Sequence, residues 1–219
     1  MSESVSRTTL LAYLEQRNYV KFGNISTNWQ DIVFECEQKV VANPTYWCNL
    51  VPRPNDFDSW DDIGNDYITN MKKFQTWGYT EHNTKSWETT SQKFQIKMSW
   101  ENTIATELCL DDPVSRPTLQ TPGNIMPWHQ DQFYHFKRKY PDQHKYIVRF
   151  IVFMKDWEVG HLLQAGDDII SHWSAGDVIL WHPDRYHIAI NAGITNKWTQ
   201  NVTGVLKENI ILPTMPIDI

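Results

Sequence analysis

The chain has 219 residues, 41% hydrophobic and 21% charged, a composition that fits a folded globular protein and excludes disordered and fibrous classes. Its 20 Lys and Arg stand against 26 Asp and Glu, a formal charge of −6, so nucleic acid is disfavoured as a main partner. No apolar run approaches the ~18 residues that span a bilayer, and the acid-bearing start Met-Ser-Glu-Ser-Val-Ser-Arg lacks the apolar stretch of a secretory signal, so no membrane partner is expected.

In chain order, Leu10, Leu11 and Leu14 recur at i, i+1, i+4 and predict a short amphipathic helix with Ser or Thr available as cap. A second helix is predicted over Asn28 to Val41. A third is predicted over Trp60 to Trp77, where Ile63, Tyr67, Ile68, Met71 and Phe74 keep a three-to-four spacing. Between them, Val51-Pro-Arg-Pro-Asn-Asp-Phe-Asp reads as a loop by its prolines. From about residue 104 the apolar runs shorten and Gly, Pro and Asp punctuate them at intervals too short for helices. Predicted strands are Ile104–Leu110, Tyr146–Met154, Ile169–Trp173, Asp177–Trp181, Tyr186–Asn191 and Trp198–Leu206, with Ser174-Ala-Gly-Asp177 as a compact turn. The expectation is a single domain over 1–219, mainly β with N-terminal helices. Residues 1–103 form a mainly helical support layer, and 104–219 a barrel or jelly roll.

Cys36, Cys48 and Cys109 are widely spaced and make no C-x-x-C pair, which supports neither a disulfide framework nor a cysteine zinc site. A cytoplasmic location is the expectation. The histidines carry more information. Seven of the eight, at 129, 135, 144, 161, 172, 182 and 187, fall within one 59-residue stretch of the β half. That clustering suggests a metal site of two histidines and one carboxylate, the set that holds Fe(II) and leaves adjacent positions open.

A His-x-Asp pair at a strand end points both ligands to one face, because residues i and i+2 share it. The pattern is weak alone: eight histidines and 26 acids in 219 residues should give about one match by chance. Two occur, His129-Gln-Asp131 and His182-Pro-Asp184. For the second, the only downstream histidine is His187, three residues after Asp184 and too near to come from a separate strand. For the first, His187 follows after 58 residues, enough for several strands to close a site. His129, Asp131 and His187 are therefore the preferred ligands, with His182 in reserve. Ten residues beyond His187 stands Lys197, with Thr199 on the same strand face, a cation and a hydroxyl able to bind a carboxylate. Asn191 shares the face of His187.

Three segments, Pro122-Gly-Asn-Ile-Met-Pro-Trp-His-Gln-Asp131, Gly176-Asp-Val-Ile-Leu-Trp181 and His187-Ile-Ala-Ile-Asn-Ala-Gly193 followed by Lys197-Trp-Thr199, together resemble the Fe(II)/2-oxoglutarate-dependent dioxygenases. The aspartyl/asparaginyl hydroxylase-like branch and related phage-encoded oxygenases are the most similar. The resemblance covers roughly residues 105–206. It implies a double-stranded β-helix core of the jelly-roll or cupin-like type, with His129, Asp131 and His187 ligating iron. It further implies 2-oxoglutarate and O2 as co-substrates, with Lys197 and Thr199 on the distal carboxylate. Many members carry Arg where this chain has Lys197, and Lys supplies the charge without the bidentate fork. Arg149, in an otherwise apolar strand, is the rival anchor for 2-oxoglutarate or for a substrate carboxylate. The implied reaction hydroxylates a substrate C–H and releases succinate and CO2. The implied substrate is an amino-acid side chain in a protein or peptide, or a small metabolite. Trp128, Gln130, Gln132 and Tyr134 beside the ligands are candidate substrate contacts. The other reading of the same residues is a cupin-like small-ligand or metal-binding protein without oxygenase activity.

Overall fold

A computed structural model of the chain describes residues 4–43, 47–49, 65–88, 90–91, 94–95, 98, 100–182 and 184–211. In chain order these form β1 (Ser4–Ser6), α1 (Arg7–Glu15), β2 (Tyr19–Asn24), α2 (Trp29–Ala42), β3 (Trp47–Asn49), α3 (Asn65–Thr76) and β4 (Lys85–Glu88). The short pair β5 (Thr90–Ser91) and β6 (Phe94–Gln95) follows, then α4 (Glu101–Glu107), β7 (Leu110–Gln120), β8 (Ile125–His129) and α5 (Tyr134–Lys139). A 3-10 turn over Pro141–Tyr146 leads into β9 (Ile147–Phe153), β10 (His161–Ala165), β11 (Asp168–Ile170) and β12 (Asp177–Trp181). The chain then runs through β13 (His187–Asn191), β14 (Lys197–Leu206) and β15 (Asn209–Ile211).

Eight strands, β7 to β14, make two antiparallel sheets. The larger has the order β12-β9-β14-β7 and is extended by β2 at one edge and by β4 and β3 at the other. The smaller has the order β11-β10-β13-β8. Successive strands alternate between the sheets one by one, except that β10 and β11 form a hairpin within the smaller, which is the connectivity of a double-stranded β-helix, the fold expected. Side chains of β9 alternate across the larger sheet. Val148, Phe150 and Val152 join Leu10, Leu14, Trp29, Ile32, Val33 and Leu108 in a core between sheet and helices. Ile151 and Phe153 face the smaller sheet with Leu163, Ala165, Ile179 and Trp181. A strand sandwiched this way is apolar on both faces, which explains the run Ile-Val-Arg-Phe-Ile-Val-Phe and isolates Arg149 as its exception.

The helices begin where the caps foretell. Ser6 accepts from the Thr9 amide at 3.1 Å to open α1, and Asn28 accepts from the Asp31 amide to open α2. The third predicted helix is present over Asn65–Thr76; its expected start at Trp60 and the loop Val51–Asp58 lie outside the described residues. The turn before β12 closes through the Ser174 amide on the Asp177 carboxylate at 3.0 Å. Within it Gly176 has φ +88°, and a Cβ there would lie 2.3 Å from the Ile25 carbonyl.

One expectation needs correction. Ile104–Leu110 is not a strand: residues 101–107 are helical, because Ile104, Ala105 and Leu108 bury one face at i, i+1, i+4 spacing, and only then does the chain turn at Cys109 (φ 52°) into β7. The mainly helical first hundred residues also carry strands of the larger sheet. Strands β2, β3 and β4 come from them, and Trp87 of β4 is completely buried against Trp198 of β14. Strands β7, β8 and β10 escape sequence reading altogether. In β7, among the described residues, β4 pairs only at Leu119 and Thr118, so Pro113 and Pro117 lie along an edge that needs no amide.

Candidate metal centre

His129 is the last residue of β8, His187 the first of β13, and the two strands are antiparallel neighbours with these residues in direct register. Their rings are 4.3 Å apart. Asp131 follows two residues past the strand end, before Phe133 (φ 50°) turns the chain into α5. One ligand atom from each of His129, Asp131 and His187 lies within 4.8 Å of the others, and all other histidines of the cluster fall outside this group. His161 faces the Thr195 carbonyl at 3.2 Å, His172 stacks on Trp157, and His182 accepts from the Asp184 amide in a local turn.

The orientation of each ligand is fixed by its remaining polar atoms. Nδ1 of His129 lies 2.6 Å from the Pro127 carbonyl, and Nδ1 of His187 lies 3.1 Å from the Arg185 carbonyl. A carbonyl only accepts, so both Nδ1 atoms carry the proton and both Nε2 lone pairs are free for a metal. Trp181 stacks on His187 at 4.3 Å and donates its indole N–H to Oδ2 of Asp131 at 3.4 Å. Oδ1 of Asp131 accepts from Nη1 of Arg149, whose Nε donates to Thr203 Oγ1 at 3.0 Å.

Electrostatics agree with a ligand set ready at neutral pH. Burial pushes the His187 pKa down to about 4 against the opposing pull of Asp131, and burial likewise lowers that of His129. Burial alone would push the Asp131 carboxyl up, but Arg149 and the two imidazoles outweigh it and hold it below the ordinary carboxylate range. Two neutral imidazoles and one ionised carboxylate, with their outward atoms already bonded, fit the two-His, one-carboxylate set suited to Fe(II).

His129 and His187 open onto a cavity between the sheets, walled also by Thr118, Gln120, Met126, Ile151, Phe153, Leu163, Ala189, Lys197, Thr199 and Asn201. Lys197 is 2% exposed. Its ammonium donates to the carbonyls of Leu162 at 2.8 Å and Ile190 at 3.3 Å, and burial alone pushes its pKa down to about 7. Arg149 also lines the cavity, but it already serves Asp131 and Thr203. Asn191 is not among the lining residues. Its amide N–H groups go to the Gln120 carbonyl at 2.7 Å and the Thr195 carbonyl at 2.8 Å, so it ties strand ends together and the cofactor role expected for it gives way to a structural one.

Of the expected substrate contacts, Trp128, Gln130 and Gln132 do not line the cavity. Trp128 stacks on Tyr186 with centroids 6.1 Å apart, Gln130 donates to the Asp184 carbonyl at 2.6 Å, and Gln132 is half-buried. Tyr134 begins α5, its side chain lying outside the described residues. Conversely, Thr118, Gln120 and Asn201 are polar wall residues that sequence reading missed. Asn201 was legible as the next residue after Lys197 and Thr199 on one strand face. Thr118 and Gln120 lie in β7, a strand not among those expected from the sequence.

No family model matches the chain, and no curated protein matches it significantly. Solved structures do. The non-heme alpha ketoglutarate dependent carbocyclase SnoK from nogalamycin biosynthesis superposes with a TM-score of 0.52 at 9% identity, covering 92% of this chain and 86% of that one. A prolyl-4-hydroxylase from Pseudomonas putida matches at 0.45 with 13% identity over 94% and 98%, and the non-heme monooxygenase ThoJ at 0.47 with 14% identity over 93% and 80%. At such identities the first likeness is one of fold: the chain is a double-stranded β-helix of the type that SnoK has. Among the described residues no helix is long and apolar enough to cross a membrane.

Proposed function

We propose that the protein is an Fe(II)/2-oxoglutarate-dependent dioxygenase that hydroxylates a C–H of an amino-acid side chain in a protein or peptide, or of a small metabolite. The observation that carries this reading is one cavity lined by His129, His187 and Lys197, with Asp131 beside the two imidazoles and, among the described residues, no carboxylate on the buried Lys197 ammonium, which meets two backbone carbonyls and the Trp173 ring. Burying an ammonium without a carboxylate is costly, and a barrel that bound only a metal would have no use for it. A dicarboxylate reaching from the metal to Lys197 supplies the missing anion.

The chain's part in the reaction follows from its residues. His129, Asp131 and His187 would hold iron through three donors, leaving further positions to small molecules. Iron and 2-oxoglutarate would supply the oxidising chemistry, with O2 consumed and succinate and CO2 released. Lys197 and the adjacent Thr199 hydroxyl bind the distal carboxylate and set its direction along the cavity. Ile151, Phe153 and Leu163, each buried, keep water from the cavity wall. Thr118 and Asn201, joined by a 2.9 Å hydrogen bond, offer further polar contacts beside Thr199 on the same wall.

An anaerobic titration of metal-stripped protein with Fe(II) and then 2-oxoglutarate tests the reading. A weak visible charge-transfer band that requires both is the expected result. Folded protein that binds Fe(II) and gives no band with 2-oxoglutarate would overturn it in favour of the cupin-like binding protein.

A further inference from the structure

Asp131 is held differently at its two oxygens. Oδ1 is taken by Nη1 of Arg149, while Oδ2 lies 3.8 Å from Nε2 of His187 and receives only the long 3.4 Å bond from Trp181. The guanidinium is itself fixed at two further points. Its Nε donates to Thr203 Oγ1 at 3.0 Å, and its carbon sits 5.3 Å from the Phe133 ring centroid, two residues past Asp131 in the chain. Thr203 and Arg149 are cross-strand partners on β14 and β9, so the rigid centre of the larger sheet sets where the guanidinium stands.

From this geometry we infer that Arg149 is a positioning residue that keeps Asp131 a one-armed ligand, offering the metal Oδ2 alone. The inference rests on the reading of His129, Asp131 and His187 as a metal site. Two imidazoles and a one-armed carboxylate occupy three of six octahedral positions. A carboxylate that swung to offer both oxygens would take a fourth, leaving two where a chelating keto acid and a third small molecule need three. A planar fork suits this task because Nη1 and Nε reach two fixed acceptors at once; a lysine could reach one. The arrangement also explains why a guanidinium stands in the most apolar strand of the fold, where Ile147, Val148, Phe150, Ile151, Val152 and Phe153 are all buried.

The test uses Co(II) in place of iron on the full-length chain, with the wild type, Arg149→Met, Arg149→Lys and Thr203→Val. Two readouts that need no turnover are the Co(II) dissociation constant and the intensity of its visible absorption, which depends on coordination number. Arg149→Met should weaken Co(II) binding about tenfold or more and change the band intensity, and Arg149→Lys should restore the affinity only in part. Thr203→Val, which leaves Arg149 in place and frees its Nε, should change the band in the same direction and by less. Wild-type affinity and an unchanged spectrum in Arg149→Met would overturn the inference. If that variant does not fold, the same outcome in Arg149→Lys and Thr203→Val together would overturn it. Wild-type protein that binds no Co(II) would remove the metal site and the inference with it. Wild-type protein that binds Co(II) and not 2-oxoglutarate would end the oxygenase reading, while the affinity series would still decide the role of Arg149.

Discussion

The two faces of the larger sheet differ in kind although the same strands make them. On the helix side, β9 contributes Val148, Phe150 and Val152, and β14 contributes Trp198 and Val202, all 1% exposed or less. On the other side, β9 contributes Arg149 between Ile147 and Ile151, and β14 contributes Lys197, Thr199, Asn201 and Thr203. One face is optimised for burial. The other accepts charge, Arg149 beside Asp131 and the buried Lys197 on the cavity wall. Stability and chemistry are thus separated by the two-residue period of a strand, so substitutions one position apart should have different consequences.

The largest expected effect is on the site face. Asp131→Ala should abolish metal binding and 2-oxoglutarate-dependent succinate formation while leaving the fold intact; succinate production at the wild-type rate would break the assignment. Phe150→Ala, on the helix side and packed edge-on against Phe22 at 4.7 Å, should cost about 3–5 kcal/mol in denaturant unfolding, with Co(II) affinity of the folded fraction unchanged. Lys197→Met should do the reverse. It should weaken 2-oxoglutarate by roughly 30-fold or more, about 2 kcal/mol, in calorimetry of the metal-loaded protein, and should make the ligand-free protein more stable, because it removes an ammonium buried without a carboxylate.

The pH dependence sharpens the same contrast. With the Lys197 pKa at about 7 in the folded protein, the proton is lost above that value, and binding a carboxylate requires its return. The affinity for 2-oxoglutarate should therefore fall up to about tenfold per pH unit above 7 in the wild type, and the Lys197 share of that fall should vanish in Lys197→Met. The unfolded chain keeps this proton up to its ordinary range. Between those limits it binds more protons than the folded state, so Lys197 makes the ligand-free protein gain stability as pH rises through that window. The smallest effect expected is Thr199→Val, a loss of about 1 kcal/mol in 2-oxoglutarate binding with no change in metal affinity.

Much of the fold was legible in the sequence because its signals are local. The caps Ser6 and Asn28, the turn Ser174–Asp177 and the apolar run of β9 appear where their residue types require them. The segment 104–110 was misjudged because Ile104 and Thr106 favour strands, whereas the burial of Ile104, Ala105 and Leu108 on one face favoured a helix. Strand β10 was missed because His-Leu-Leu-Gln-Ala has no β-branched residue, and its alternation becomes visible only against β13.

The sequence by itself determined a β half rich in histidines, the choice of His129, Asp131 and His187, and the placing of Lys197 and Thr199 on one face, since i and i+2 share a side of any strand. Only the tertiary structure decided what surrounds each group. Arg149 turns to Asp131, Asn191 to the Gln120 carbonyl and Lys197 to the Leu162 carbonyl, because these partners lie 18, 71 and 35 residues away and only the folded sheets and the loop after β8 bring them within reach.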